Sequence, residues 1–399
     1  MGRHGKVALV SAAYPPHATG GIETQTADLA HALSNQGIDV TVFCGGAKAT
    51  TLTDENPHLR ILRMPMASFP FRVVWFQMQN LGTFEKALSN FDIIHTQHSS
   101  CSIYGYLKRK IGKPWIVSFH DHQLTRLKVV FDVKPWNMSL GDLGYYILGY
   151  PVFDMLTRME LRGADHFIAC GKSGYQDYVN ISKMKPEKAT VIPNGIDLDK
   201  INKILESMRN RESSKHMHDI TIFTCGRFYA SKGIQYLIRA MPSVLQEFKN
   251  VRLKIFGKGP LRAYLKSLVV SLGLQSNVDI VGHVPYERLI YEMYKSDIAV
   301  FPSLVEVGAS LAVMEAMACG KAVIAFKYPF STEIIQHMKT GYHVPPKSIE
   351  ELAEGVKALV EDEPLRKKLG RNAKENIARN HDIKLVAGKY IDVYSRFFP

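Results

Sequence analysis

The chain is expected to fold as an α/β protein built on two parallel sheets, each layered between helices. Three observations predict this. At 399 residues the chain is long enough for two or three domains. Its apolar residues fall into short continuous runs, the pattern of strands buried on both faces, and these alternate with segments of helical period. The alternation then occurs twice, once on either side of a charged stretch over 199–218 that reads as a connection between domains.

In the first half, strands are predicted over 7–11, 40–44, 61–64, 92–96, 115–119, 166–170 and 190–192, with helices over 22–35, 74–88 and 102–110. Residues 7–11 lead into YPPHATGG at 14–21, a breaker-rich loop before the first helix. In the second half, strands over 220–225, 251–256, 278–281, 298–301 and 322–325 recur. The clearest helix there places Ile234, Leu237, Ile238, Met241, Val244, Leu245 and Phe248 on one face. Structured segments follow at 328–335 and 340–344, and then helical patterns over 349–360, 365–379 and 384–398.

Composition narrows the function classes. Hydrophobic residues make up 46% of the chain, enough for proper cores. Fifty basic against 37 acidic residues leave +13, which favours an anionic partner: a phosphorylated small molecule, an acidic membrane face or a nucleic acid. No nucleic-acid-binding module accompanies that charge, so nucleic acid is not expected. No apolar run approaches the ~18 residues of a spanning helix. The start, MGRHGKVALVSAAYPP, lacks the long apolar stretch of a signal peptide, and a cytoplasmic location is expected. Cys44, Cys101, Cys170, Cys225 and Cys319 are odd in number and far apart, which reads as reduced core thiols rather than disulfides or a zinc site.

The residues that could carry chemistry lie where predicted strands end, at the carboxyl edge where open α/β sheets bind ligands. Gly20 and Gly21 would let a phosphate approach the backbone, or would form a plain tight turn; the spacing is not G-x-G-x-x-G. His120, the first residue of His120-Asp121-His122, could hydrogen-bond a sugar hydroxyl or shift a proton with a near-neutral pKa, or could cap local structure. A metal there would need a third ligand that the sequence does not locate. In GRFYASKG at 226–233, Arg227 offers a planar fork and Lys232 a compact charge, a pair suited to a diphosphate or to solvent. Gly257 and Val284 lie in the turns after the next two strands, which could hold a nucleobase against backbone groups. Over 298–325 a strand, loop, helix, strand unit brings the N–H groups near Ser310 and Leu311 to the same edge, with Glu306 and Glu315 at the two ends of the loop-to-helix segment.

Residues 123–162 mix Leu127, Val129, Phe131, Trp136, Tyr145, Tyr150 and Phe153 with Arg126, Lys128 and Lys134, and Lys108, Arg109, Lys110 and Lys113 lie just ahead. Trp75 and Met78 belong to a similar segment. Such surfaces rest on anionic bilayers, and such patterns also arise in helices packed on a sheet.

Taken as a set, GGIE at 20–23, His120 after a strand, VIPNGID at 191–197, GRFYASKG at 226–233 and FPSLVE through EAMACGKAVI at 301–324 resemble the retaining glycosyltransferases of family four. The resemblance covers nearly the whole chain and implies the GT-B fold of two facing Rossmann-like domains. It implies boundaries at 1–198 for an acceptor-side domain, 199–380 for a nucleotide-sugar domain, and a helix over 381–399 crossing back to the first. It also implies roles: Gly20 and Gly21 near the donor diphosphate, Arg227 and Lys232 binding it and stabilising the leaving charge, and backbone N–H groups near Ser310 and Leu311 on the distal phosphate. Glu315 would hold the ribose, Glu306 would contact the donor sugar, and His120 would sit beside the reacting centre. Eight residues separate Glu306 from Glu315 where the family places seven, and a one-residue bulge would restore the match.

The expected activity is metal-independent transfer of a sugar, with retention, from a UDP- or GDP-type donor to an acceptor hydroxyl, without a cofactor. The acceptor would be lipid-linked or amphipathic and the protein peripheral on the cytoplasmic membrane face. The other readings are a nucleotide-sugar epimerase on the same fold and a nucleotide-sugar-binding protein with a disabled transferase site.

Overall fold

A computed structural model of the chain describes residues 5–16, 20–46, 50–53, 56–67, 72–97, 99–120, 149–182, 186–209, 219–304 and 310–399. These residues form two compact units. Unit 1 holds the described residues through 120, those from 149 to 196, and Ile383–Pro399; unit 2 holds Asp197–Asp382.

Unit 1 is built on an eight-stranded sheet of β1 (Lys6–Ser11), β2 (Asp39–Gly46), β3 (Thr50–Thr53), β4 (Leu59–Pro65), β5 (Ile93–Gln97), β6 (Trp115–Phe119), β7 (His166–Ala169) and β8 (Ala189–Val191), in the order β3-β4-β2-β1-β5-β6-β7-β8. Every pairing is parallel except β3 against β4. The strands read as apolar runs because helices cover both faces. The order reverses between β1 and β5, the switch point of this sheet, the place at which open α/β sheets bind ligands. Helices α1 (Gly21–Asn35), α2 (Arg72–Gln79), α3 (Leu81–Leu88), α4 (Tyr104–Ile111), α5 (Tyr150–Gly163) and α6 (Lys172–Ser182) connect them.

Unit 2 begins with α7 (Leu198–Arg209) and carries a six-stranded, wholly parallel sheet of β9 (Ile220–Cys225), β10 (Val251–Phe256), β11 (Val278–Gly282), β12 (Ile298–Phe301), β13 (Ala322–Phe326) and β14 (Tyr342–Val344), in the order β11-β10-β9-β12-β13-β14. Its helices are α8 (Ile234–Glu247), α9 (Arg262–Ser271), α10 (Tyr286–Lys295), α11 (Leu311–Ala318), the single turn α12 (Pro329–Thr332), α13 (Ile349–Glu361) and α14 (Glu363–Asn380). The last helix, α15 (Ile383–Tyr394), belongs to unit 1 and packs on α1. Tyr390 and Tyr394 of α15 are buried against the sheet of unit 1, where the Tyr394 hydroxyl meets His95 Nδ1 at 2.6 Å.

Three elements differ from the sequence-based expectation. The single helix over 74–88 is two, because the Asn80 amide donates to the carbonyls of Phe76 and Pro65, both at 2.8 Å, and turns the chain. The charged stretch after 199 opens with α7, which buries Ile201 and Ile204 and so is a packed helix rather than a plain connection. Thr50–Thr53 adds an antiparallel edge strand. Among the described residues no helix is long and apolar enough to cross a membrane.

Glu160 of α5 is fully buried and fixes the loop after β5: its Oε1 accepts from the Ser99 N–H at 2.9 Å and the Ser102 hydroxyl at 2.8 Å. Burial lifts its carboxyl from 4.5 to about 8, against the opposing pull of those two hydrogen bonds. The folded value lies above the unfolded one, so the stabilising contribution is complete below about pH 4.5 and is lost as pH rises through about 8. Glu160→Gln keeps an oxygen for both donors and cannot ionise. Its stability relative to the parent should therefore rise between pH 5 and 8, by at most about 1.4 kcal/mol per pH unit, in urea denaturation run at both ends of that range. A difference that stays flat with pH would contradict this assignment.

Candidate functional site

In unit 2 the loops that leave β9, β10, β11 and β12 are stitched together by backbone hydrogen bonds. Gly226 N–H donates to Phe256 O at 3.0 Å, Phe228 N–H to Lys258 O at 2.9 Å, Leu261 N–H to Phe228 O at 3.0 Å, Gly257 N–H to Gly282 O at 2.8 Å, and Leu304 N–H to Ser231 O at 2.8 Å. Two glycines make this contact possible. A Cβ at Gly233, where φ is +65°, would lie 1.8 Å from Pro302 O, and one at Gly257, where φ is +139°, would lie 1.9 Å from Gly226 O. The sequence reading places Gly257 in a nucleobase turn; the structure makes it the point where two loops touch.

The stitched edge presents the expected cations. Arg227 is exposed and Lys232 half-buried, its stem lying alongside Gly226, with Cγ 3.6 Å from the position of a Cβ there. The bond from Leu304 to Ser231 ties this loop to the segment that leads toward α11. Ser310 is the extended residue before α11, and its hydroxyl caps none of the helix's N–H groups. The first N–H groups of α11, beginning at Leu311, have no acceptor within their own helix, as at any helix start. Val284 is buried in the turn between β11 and α10. Glu306 lies among residues 305–309, outside the described residues.

Glu315, on the first turns of α11, is only 6% exposed, and the Tyr286 hydroxyl donates to its Oε1 at 2.9 Å. The Lys200 ammonium of α7 lies 4.9 Å from the centre of the Tyr286 ring. Sequence reasoning does not single out Tyr286; the one signal is its place at the start of a helix after a glycine turn.

In unit 1, Gly20 is extended at the start of α1, where its carbonyl accepts the Thr24 N–H at 3.0 Å, and Gly21 is exposed on the first turn. His120 follows β6 and is buried. Its Nε2 bonds Gln97 Oε1, an oxygen that only accepts, so the ring proton sits on Nε2 and Nδ1 accepts from the Cys170 thiol at 3.0 Å. Burial holds its pKa down at about 4, with the neighbouring Asn194 side chain opposing. The near-neutral titration expected from sequence is thereby corrected: at pH 7 His120 is a neutral, oriented imidazole. Gln97 is legible only afterwards, since it pairs with Ser118 across the sheet and so shares a face with the residue two further on. Asp121 and His122 lie outside the described residues.

Two family models match the chain: Glycosyltransferase Family 4 over residues 19–200 and Glycosyl transferases group 1 over residues 207–376. An uncharacterised glycosyltransferase of Methanocaldococcus jannaschii is 29% identical over 401 residues, covering 98% of this chain and 97% of the relative. Among solved structures, the sucrose-phosphate synthase of Thermosynechococcus elongatus superposes with a TM-score of 0.78 at 21% identity, covering 98% of both chains. Anabaena HepE, solved in complex with UDP-glucose, superposes with a TM-score of 0.73 at 18% identity, covering 98% of this chain and all of that one.

Proposed function

The chain belongs to glycosyltransferase family 4 and has the GT-B fold, and from that premise we propose that it transfers a sugar from a nucleoside-diphosphate sugar to an acceptor hydroxyl with retention of configuration. The observation that carries this reading is the stitched edge of unit 2, where the loops after β9, β10 and β11 are joined by backbone hydrogen bonds and the Arg227–Lys232 loop is bonded to Leu304 after β12. As the bond from C1 to the diphosphate breaks, its electron pair passes to the leaving phosphate. Arg227, Lys232 and the N–H groups at Ser310 and Leu311 stabilise that growing charge in place of a metal ion. The acceptor oxygen bonds to C1 from the face the diphosphate leaves, and its proton passes to the departing phosphate. Glu315 takes the ribose and the turns at Gly257 and Val284 take the base; on the resemblance, Gly20 and Gly21 are assigned to the donor diphosphate and His120 to the sugar and the reacting centre. Glu306 is assigned to the donor sugar on the resemblance alone.

The UDP-glucose complex of the Anabaena protein supports a UDP-type donor, with GDP as the alternative base. The test is a thermal-shift panel of UDP-, GDP- and ADP-sugars. At a hundredfold excess over Kd a true donor stabilises the fold by about 2.7 kcal/mol, a rise of roughly 5–10 °C for a unit of this size. No shift with any of them overturns the donor site.

For the acceptor, the reading is an amphipathic or lipid-linked molecule met at an anionic, cytoplasmic membrane face. Trp75, Met78, Tyr106, Met155 and Met159 are exposed on α2, α4 and α5. Met159 shares a groove with Arg109 and Arg162 where Gly105 and Gly163 let α4 and α5 cross closely. Cosedimentation with anionic but not zwitterionic vesicles is expected, weakened about tenfold or more by Arg109→Glu with Arg162→Glu. Equal recovery with both vesicle types overturns the membrane reading and leaves the donor site standing.

A further inference from the structure

Glu315 is a long side chain held almost entirely out of water, and what orients it is a neighbour no motif marks. Tyr286 opens α10 immediately after the turn at Gly282–Pro285, and its hydroxyl donates to Glu315 Oε1 at 2.9 Å. α7 and α11 both pack on α10, and Lys200 of α7 sits 4.9 Å over the Tyr286 ring, a cation on an aromatic face. The three side chains form a stack that runs from an ammonium through a ring to a carboxylate, all within unit 2.

We propose that Tyr286 is a positioning and specificity residue for the donor: it fixes the Glu315 carboxylate so that its remaining acceptor sites meet two vicinal ribose hydroxyls, and so selects ribonucleotide over 2′-deoxyribonucleotide donors. This rests on the reading of unit 2 as the donor site. An ionised carboxylate offers about four lone-pair positions, and the tyrosine occupies one. The bond to Oε1 restrains the rotation of the carboxylate and so the direction in which its oxygens accept. With Tyr286 removed, Glu315 gains rotamer freedom that binding must again restrict, and the advantage of a matched pair of hydroxyls falls. Lys200 lies over the ring, and the hydroxyl bonds the carboxylate in the unliganded protein. The site is set before the donor arrives.

The test is calorimetric titration of UDP and 2′-deoxy-UDP, with the GDP pair in parallel, into the full chain and into Tyr286→Phe, Glu315→Gln and the double variant. The parent should bind the ribonucleotide at least about tenfold more tightly than its deoxy counterpart, the worth of a charge-assisted hydrogen bond. Tyr286→Phe should bring the ratio to within about threefold by weakening the ribonucleotide alone. In the Glu315→Gln background the same change should have no further effect, a coupling that a merely structural tyrosine would not show. With donor turnover as the readout, Tyr286→Phe raises KM about tenfold and leaves kcat in place. An unchanged ratio in Tyr286→Phe, or an equal loss for both nucleotides, overturns the proposal while the donor site stands. If the parent binds neither nucleotide pair, the donor-site reading falls and the proposal with it.

Discussion

Lys232→Ala is expected to erase the thermal shift produced by the nucleotide-sugar donor and to lower kcat/KM by about a hundredfold or more, the typical cost of removing one group that stabilises developing charge. The unliganded protein should melt near the parent temperature, because what alanine removes is a half-buried stem lying along Gly226, at the edge of the core. Two measurements check this: differential scanning fluorimetry with and without donor, and initial rates at saturating acceptor. Arg227→Lys makes a useful partner, since it keeps the charge and loses the fork, and should weaken the donor less than Lys232→Ala does. A full donor shift in Lys232→Ala would place the diphosphate elsewhere and remove the main support for the transfer mechanism.

Gly257→Ala should be among the most damaging single substitutions in unit 2. The new Cβ would lie 1.9 Å from Gly226 O, with φ at +139°, so two loop backbones would have to separate. Strain of this kind, added to the lost bonds from Gly226 to Phe256 and from Gly257 to Gly282, amounts to roughly 3 kcal/mol or more. Loss of soluble protein, or melting roughly 6–12 °C lower, is the expected result by thermal denaturation. Gly273→Ala is the control: φ there is +67°, yet nothing lies within 4 Å of the added atom, so the cost should stay near 1 kcal/mol. Equal losses at the two sites would show that loop contact at Gly257 matters no more than backbone conformation.

Much of the site is readable without coordinates because it uses features that leave a linear trace. The strand, loop, helix, strand order around Ser310 and Glu315 appears as predicted, with β12, α11 and β13 at Ile298–Phe301, Leu311–Ala318 and Ala322–Phe326. Apolar runs announce strands that are buried on both faces, and glycines announce the turns between them. What could not be read depends on contact across the chain. Tyr286 and Glu315 are 29 positions apart, and Gln97 reaches His120 from a neighbouring strand. The pKa of His120 is a property of its burial, which no motif records. The charged segment that hid α7 failed for another reason: Ile201 and Ile204 form too narrow a stripe to outweigh their polar neighbours.

The placement of α15 in unit 1 has a consequence for how the molecule is made. The ribosome delivers strands β1–β8 first, then all of unit 2, and only afterwards Tyr390 and Tyr394, whose hydroxyls meet Ser118 and His95 beneath the sheet. Unit 1 therefore cannot complete these buried polar pairs until the helix that follows unit 2 in the chain has been made.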